Sequence, residues 1–382
     1  MQPFTAATDA SDFVTISENF STETDISLDD SYEMSDFLKN FCHLSLQNLG
    51  HCLVFFIFTV IGVIGNVTLL FAILLNKQLL SVPNIFIVNL TIADLVYMLA
   101  TAPFNIRHEL TACWLLGTTA CKIKHYVPIV AQGACVFSLA ALSRERYTAI
   151  VKGFESRHKS SRRTLLIIGI CWIIGLIIGI PVLVITKTNT FGLLCQYMPI
   201  DDGFTWAKGY IIFIFLILYI FPFLVISIHY AEIARTLCKN SIAQLTDTNQ
   251  AAISMIRQVQ ARKRLALIVI IITVFFGLFW FPYHVYHMWY MFTKNHENIR
   301  GNKIQVQFFR HFYNYMSLAN SCLNPWVVFL MSSAHRSPLI KCFRRLSCTE
   351  WRSKLNRRRQ PKNILSATSS GSYVASTSVS KL

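Results

Sequence analysis

Hydrophobic residues in this 382-residue chain gather in seven long runs, near 51–76, 85–104, 126–142, 165–186, 210–231, 265–292 and 311–331. Most reach the roughly 20 apolar residues a helix needs to cross a bilayer, so the pattern predicts seven transmembrane helices. The third and seventh runs are interrupted by Gln132, Asn314, Ser317, Asn320 and Asn324. A polar group facing lipid lacks hydrogen-bond partners, so these residues are expected to point into a bundle. Beyond the seventh run, Leu339, Ile340, Phe343 and Leu346 recur at helical spacing among Lys341, Arg344 and Arg345, the pattern of a short amphipathic helix lying on the membrane. The fold class is therefore an all-α membrane protein, a seven-transmembrane helix bundle covering 45–346. Segments 1–44 and 347–382 are polar, rich in Ser and Thr, and too poor in apolar side chains to fold alone.

Composition supports this picture: 53% of residues are hydrophobic and only 14% charged, against about 25% charged in an ordinary soluble protein. The net charge of +16 would suggest nucleic acid in a soluble chain, but its distribution argues otherwise. With the amino terminus outside, 25 of the 35 Lys and Arg fall in cytoplasmic loops and the tail. The first 50 residues hold nine acids and one Lys and lack the features of a signal peptide, so the first span is expected to act as its own anchor. These features imply a multi-pass membrane protein with its amino terminus outside, without nucleic acid as a partner. Asn19-Phe20-Ser21 is a glycosylation acceptor on the outer side, whereas the same pattern at Asn66 and Asn89 falls within spans. Cys342 and Cys348, beside the amphipathic segment, are palmitoylation candidates.

Four of the eleven cysteines would face the oxidising side: Cys42, Cys113, Cys121 and Cys195. A Cys121–Cys195 bridge would tether the loop between spans four and five to the head of span three, and Cys42 with Cys113 is a further candidate pair. Asp94 is an acid in the middle of an apolar span, so it is either neutral or paired with polar groups and a cation, with Asn66, Ser321 and Asn324 as candidate neighbours. An intramembrane enzyme would need paired acids, a zinc motif or a Ser-Lys pair within the spans, and a transporter would show repeated broken helices in two halves. Neither pattern is seen.

The separated motifs carry a resemblance. Gly65-Asn66 lies in span one, Asn89-Leu90 with Ala93-Asp94 in span two, Cys121 before span three, and Glu145-Arg146-Tyr147 at its end. Trp172 lies in span four, Pro222 and Tyr230 in span five, Phe279-Trp280-Phe281-Pro282 in span six, and Asn320-Ser321-Cys322-Leu323-Asn324-Pro325 in span seven. Over about 300 residues the chain resembles a rhodopsin-like G-protein-coupled receptor. Trp114 with Gly117 and Cys121-Lys122, the run Arg262-Lys263-Arg264-Leu265-Ala266, and Pro282-Tyr283-His284 make it similar to the bombesin and CCHamide peptide receptors, with endothelin receptors close behind.

The resemblance implies a receptor for an extracellular neuropeptide, coupled to heterotrimeric G proteins of the Gq class and then to receptor kinases and arrestin; a non-peptide ligand is the alternative. It implies a sodium pocket at Asn66, Asp94, Cys135, Ser321 and Asn324, where Cys135 replaces the usual Ser. It implies activation switches at Glu145, Arg146, Tyr147, Pro222, Tyr230, Phe276, Pro282, Pro325 and Phe329. Relatives often clasp the arginine with an acid at the foot of span six, where this chain has Arg262. Amine receptors carry an Asp where this chain has Pro128, and opsins need a span-seven Lys that is missing between Phe312 and Met331. The expected ligand-binding set is Arg107, Lys124, Gln132, Trp280, Tyr283, His284, His287, Arg310 and Asn314, a basic and aromatic mouth suited to a peptide. His284 and His287 share a helix face, which suits polar lining better than zinc.

Overall fold

Each of the seven runs forms a helix. The computed structural model describes residues 48–76, 79–111, 114–152, 161–188, 194–197, 205–243, 250–293, 303–332 and 335–336. In chain order the helices are α1 (Leu49–Leu74), α2 (Val82–Thr111), α3 (Gly117–Ile150), α4 (Ser161–Ile185), α5, α6 (Gln250–Phe292) and α7 (Lys303–Met331). Between α4 and α5, β1 (Lys187–Thr188) and β2 (Cys195–Gln196) pair antiparallel, Lys187 opposite Gln196 and Thr188 opposite Cys195. α5 has three consecutive parts: Thr205–Phe215, a π-helical turn at Leu216–Ile220, and Phe221–Ala243. Several helices outrun their apolar cores, because at the membrane interface a helix still satisfies its own backbone better than a loop does. Asn19, Cys42, Cys113, Cys342 and Cys348 lie outside the described residues, as does the amphipathic segment beyond His335 and Arg336.

Six of these helices are long and apolar enough to cross a membrane by length and composition alone; α7 is not. The sequence pattern predicted seven spans, and the structure shows why the last is polar. His311, Ser317, Asn320, Ser321 and Asn324 of α7 are buried against the bundle, while Phe308, Phe309, Phe312, Trp326 and Leu330 are exposed on its outer side. Its hydrophobic surface is a stripe, and its polar surface is what the other helices bind.

α3 occupies the centre. Of its most apolar stretch, 67% is buried, against 28% for α1, α4 and α5. It packs most heavily on α4 and α2 and also meets α5 and α6, while α7 closes on α6, α1 and α2. The α3–α4 approach depends on a missing side chain: a Cβ at Gly175 would stand 2.8 Å from the Val130 carbonyl oxygen, a backbone atom that cannot swing aside. Pro222 comes two residues after the π turn; it lacks an N–H, so the ladder is already interrupted where the turn fits its extra residue. The turn sets Tyr219 against α6, where its hydroxyl donates to the Gly277 carbonyl at 3.2 Å.

Replacing Gly175 by Ala should cost roughly 1–3 kcal/mol through overpacking. A thermal-shift assay on the purified protein should show a clear fall in melting temperature for Gly175→Ala. Gly169→Ala on the same helix, where an added Cβ meets nothing within 4 Å, should leave it unchanged.

Candidate functional site

The disulfide joins the second turn of α3 to β2, Cys121 to Cys195, with Cα atoms 5.6 Å apart across a separation of 74 residues. Trp114, buried just before α3, donates its indole N–H to the Gly117 carbonyl at 2.8 Å, and the Lys124 ammonium lies 5.2 Å from the centre of its ring. Gly117 takes a positive φ of 74°, which ends the loop and starts the helix in one residue. Cys121, His125 and Cys195 come together with metal-ligand spacing, but both sulfurs are already bonded to each other.

The hairpin sets Tyr197 over the bundle mouth. Its ring stacks on His125 at 4.8 Å and meets His287 edge-on at 5.2 Å. Burial pushes its phenol well above the usual value, so it stays a neutral donor. Tyr197, Ile211, Ile214, Tyr283, His284 and His287 line a cavity of about 10 Å³, room for about one water molecule. The Gln132 amide donates to His284 Nε2 at 3.1 Å, joining α3 to α6, and His287 Nδ1–H donates to the Tyr283 carbonyl at 2.8 Å. His284 and His287 are thus polar lining, each already bonded.

From the cavity an aromatic column descends. Tyr283 packs edge-on against Trp280 at 5.6 Å, Trp280 against Phe276 at 6.0 Å, and Phe276 against Phe223, the neighbour of buried Pro222, at 6.1 Å. Tyr97 meets Trp280 from α2 at 5.6 Å and donates its hydroxyl to Ser317 on α7 at 2.7 Å. Pro282 lies in α6 between Trp280 and His284 and has no N–H to give the helical ladder.

Below the column is a polar layer. Asn324 donates to Asp94 at 2.8 Å, with Ser321 in hydrogen-bonding reach of the same carboxyl. Asn66 donates to the carbonyls of Gly62 and Ser321, and Cys135 is buried nearby in α3. Asn89 donates to Ser138 at 2.7 Å and accepts from the Trp172 indole at 2.8 Å, so its side chain is engaged inside the bundle. A Cβ at Gly65 would come within 2.9 Å of Pro325, which lets α1 close on α7. At the far end Arg146 is buried, Glu145 and Tyr147 are half-buried, and the Tyr230 hydroxyl is near enough to feel the Arg146 charge. Phe329 is buried with its ring 6.3 Å from Trp326. The Arg262 side chain lies outside the described set.

Residues 65–327 match the family model of the 7 transmembrane receptor (rhodopsin family). The chain belongs to that family. Rhodopsin-family members are receptors, not enzymes. The receptor is 29% identical over 294 residues to bombesin receptor subtype-3 of Ovis aries, covering 74% of this chain and 72% of that protein. It is 31% identical over 299 residues to the neuropeptide CCHamide-1 receptor of Drosophila melanogaster, covering 74% of this chain and 58% of that one. A bombesin receptor of Bombina orientalis is 27% identical, with 72% and 71% covered.

Of the expected mouth, one residue lies apart from the cavity and another is already paired. Arg107 lines an apolar groove between α1 and α2, away from the cavity under Tyr197. Arg310 is already engaged: its guanidinium lies 3.4 Å from Glu109 and 3.3 Å from His108 Nε2. Asn314 donates to the Arg310 carbonyl at 2.9 Å. Glu109 was missed because that end of the molecule reads as basic. It is 5% exposed, His311 Nε2 stands 3.0 Å from the same carboxylate oxygen, and His51 of α1 stacks on His311 at 3.9 Å. An acid placed two residues from the end of an apolar helix was the available signal. His229 was also missed; its Nδ1 lies 2.8 Å from Ser143 Oγ, and its ring stacks on Tyr147 at 5.4 Å.

The Glu109 cluster makes an asymmetric prediction. Glu109→Ala strands Arg310 and His311 together, whereas Arg310→Ala leaves Glu109 with His311. Uncompensated burial of a charge costs roughly 3–5 kcal/mol, less where a partner is part-exposed. Thermal denaturation of the purified receptor should therefore show Glu109→Ala as clearly more destabilising than Arg310→Ala.

Proposed function

We propose that the receptor binds an extracellular peptide at the disulfide end and activates a heterotrimeric G protein at the Glu145-Arg146-Tyr147 end. The observation that carries this reading is the continuous path from the small cavity beneath Tyr197, through His284, Tyr283 and Trp280, to Phe276 and Phe223 beside Pro222. A cavity of this size cannot admit a ligand without moving those side chains, so binding and displacement of the column are one event. The kink at Pro282 is the place where α6 absorbs that displacement. Agonist then shifts an equilibrium between resting and active bundles by its better fit to the active one.

The names of the relatives, bombesin and neuropeptide CCHamide receptors, support a peptide ligand, and the absence of an acid at Pro128 argues against an amine. Gq-class coupling, phosphorylation of the Ser- and Thr-rich tail by receptor kinases and subsequent arrestin binding belong to the same reading. So do an outside amino terminus, supported by the basic loops, and residence in the plasma membrane.

The layer around Asp94 suits a sodium ion in donor type. Among the described residues the side-chain oxygens of Asn66, Asn320 and Asn324 are buried without a hydrogen-bond partner. Asn66 and Asn324, with the Asp94 carboxyl and the Ser321 hydroxyl, offer hard oxygen donors, and the Cys135 thiol is the one soft member. A bound cation would supply charge compensation for Asp94 in the resting bundle.

A cell line expressing the receptor, challenged with a neuropeptide library beside an amine and lipid library, tests the class. Bombesin-like or CCHamide-like peptides should be active, and a potent response to a biogenic amine alone would overturn the reading. His284→Ala removes the Gln132 partner and should right-shift the agonist response by about tenfold to a hundredfold at unchanged surface expression.

A further inference from the structure

The groove holding Arg107 lies outside the peptide site and opens on the lipid-facing side of the bundle. Phe56, Thr59 and Val60 of α1 form one wall; Leu99, Ala102, Pro103, Ile106 and Leu110 of α2 form the other. Its volume is about 430 Å³. Phe56, Val60 and Leu99 are exposed, and the Thr59 hydroxyl is spent on the Phe55 carbonyl at 2.7 Å, so the walls are apolar throughout. Leu99 to Leu110 covers about 16 Å of helix, close to half the ~30 Å hydrocarbon core. The groove is thus about as long as one leaflet is thick.

Arg107 stands toward the water end of that length. Among the described residues its guanidinium has no hydrogen-bond or ion-pair partner, unlike Arg310 two helices away. An unpaired guanidinium at a membrane interface is a fork of donors matched in geometry to a phosphate.

We propose that this groove is a binding site for a single glycerophospholipid, one acyl chain lying between α1 and α2 and the phosphate held by Arg107. The inference requires only that the chain spans a membrane; it does not rest on the ligand reading. The apolar walls select a chain, the length selects one leaflet, and the lone cation selects a phosphate over an uncharged head. Pro103, inside α2, lines the groove and leaves the Leu99 carbonyl without its usual helical donor.

The receptor in nanodiscs can be photolabelled with phosphatidylcholine carrying a diazirine within one acyl chain, and the labelled peptides mapped by mass spectrometry. Labelling should concentrate on 56–60 and 99–110. Arg107→Ala should lower it about tenfold, the worth of a charge-assisted hydrogen bond, with labelling elsewhere around the bundle unchanged, and Arg107→Lys should keep most of it. Ala102→Phe, which fills the groove and leaves Arg107 in place, should also lower it. Diacylglycerol with the same diazirine chain should label the groove no more than other lipid-facing surfaces, and inorganic phosphate should not compete. Equal labelling in Arg107→Ala, equal labelling by the diacylglycerol, or displacement by inorganic phosphate would overturn the proposal.

Discussion

A polar group buried between transmembrane helices has no water to fall back on, so it must find its partner on a neighbouring helix. That requirement sets the register of this bundle. Asn89 ties α2 to α3 and α4 through Ser138 and Trp172, Asn66 ties α1 to α7 at Ser321, Asn324 ties α7 to α2 at Asp94, and Tyr97 ties α2 to α7 at Ser317. Each bond adds only about 1 kcal/mol net, but leaving a partner unmet costs about 1–3 kcal/mol. A helix that slipped by one turn would break several of these bonds at once. Apolar packing, which is as good with lipid as with another helix, cannot set register so sharply.

The same rigidity makes the disulfide end and the Arg146 end one device. The polar pairs hold α1, α2, α3, α4 and α7 together, whereas α6 meets this frame through the single Gln132–His284 hydrogen bond and otherwise largely through rings: Trp280 on Tyr97, and Tyr283, Tyr286 and His287 on Tyr313. Aromatic contacts of this kind are worth about 0.5–1.5 kcal/mol each beyond their buried area, and they lack the strict pairing of a buried hydrogen bond. α6 is therefore the helix that can repack at small cost, and Pro282 gives it a place to bend.

The helices, their order and most of the inward polar residues were legible in the sequence, because a 20-residue apolar run and a polar residue inside it each have one economical reading in a membrane. The Cys121–Cys195 bridge was one of two candidate pairings among four thiols on the oxidising side. Which neighbour a side chain faces was less legible. Arg107 and Arg310 both read as cations at one rim, yet one lies beside α1 and lipid and the other beside Glu109, a difference of rotation about a helix axis that composition does not encode. The π turn before Pro222 shifts the facing of residues in α5 without a strong sequence mark, and the Ser143–His229 contact joins residues 86 positions apart. The polarity of α7 reads as weakness as a span, and only the packed bundle shows it as an interior surface.

The claim on which most depends is that filling the cavity beneath Tyr197 moves the far half of α6 away from α3. Spin labels on Arg144→Cys and Arg264→Cys, both exposed at that end, in a background otherwise free of reactive thiols, report this separation by pulsed dipolar spectroscopy. Addition of an activating peptide should move the distance distribution to a longer population, and Trp280→Ala should diminish that shift at saturating peptide. A distribution unchanged by a peptide that activates the G protein in the same sample would contradict the account.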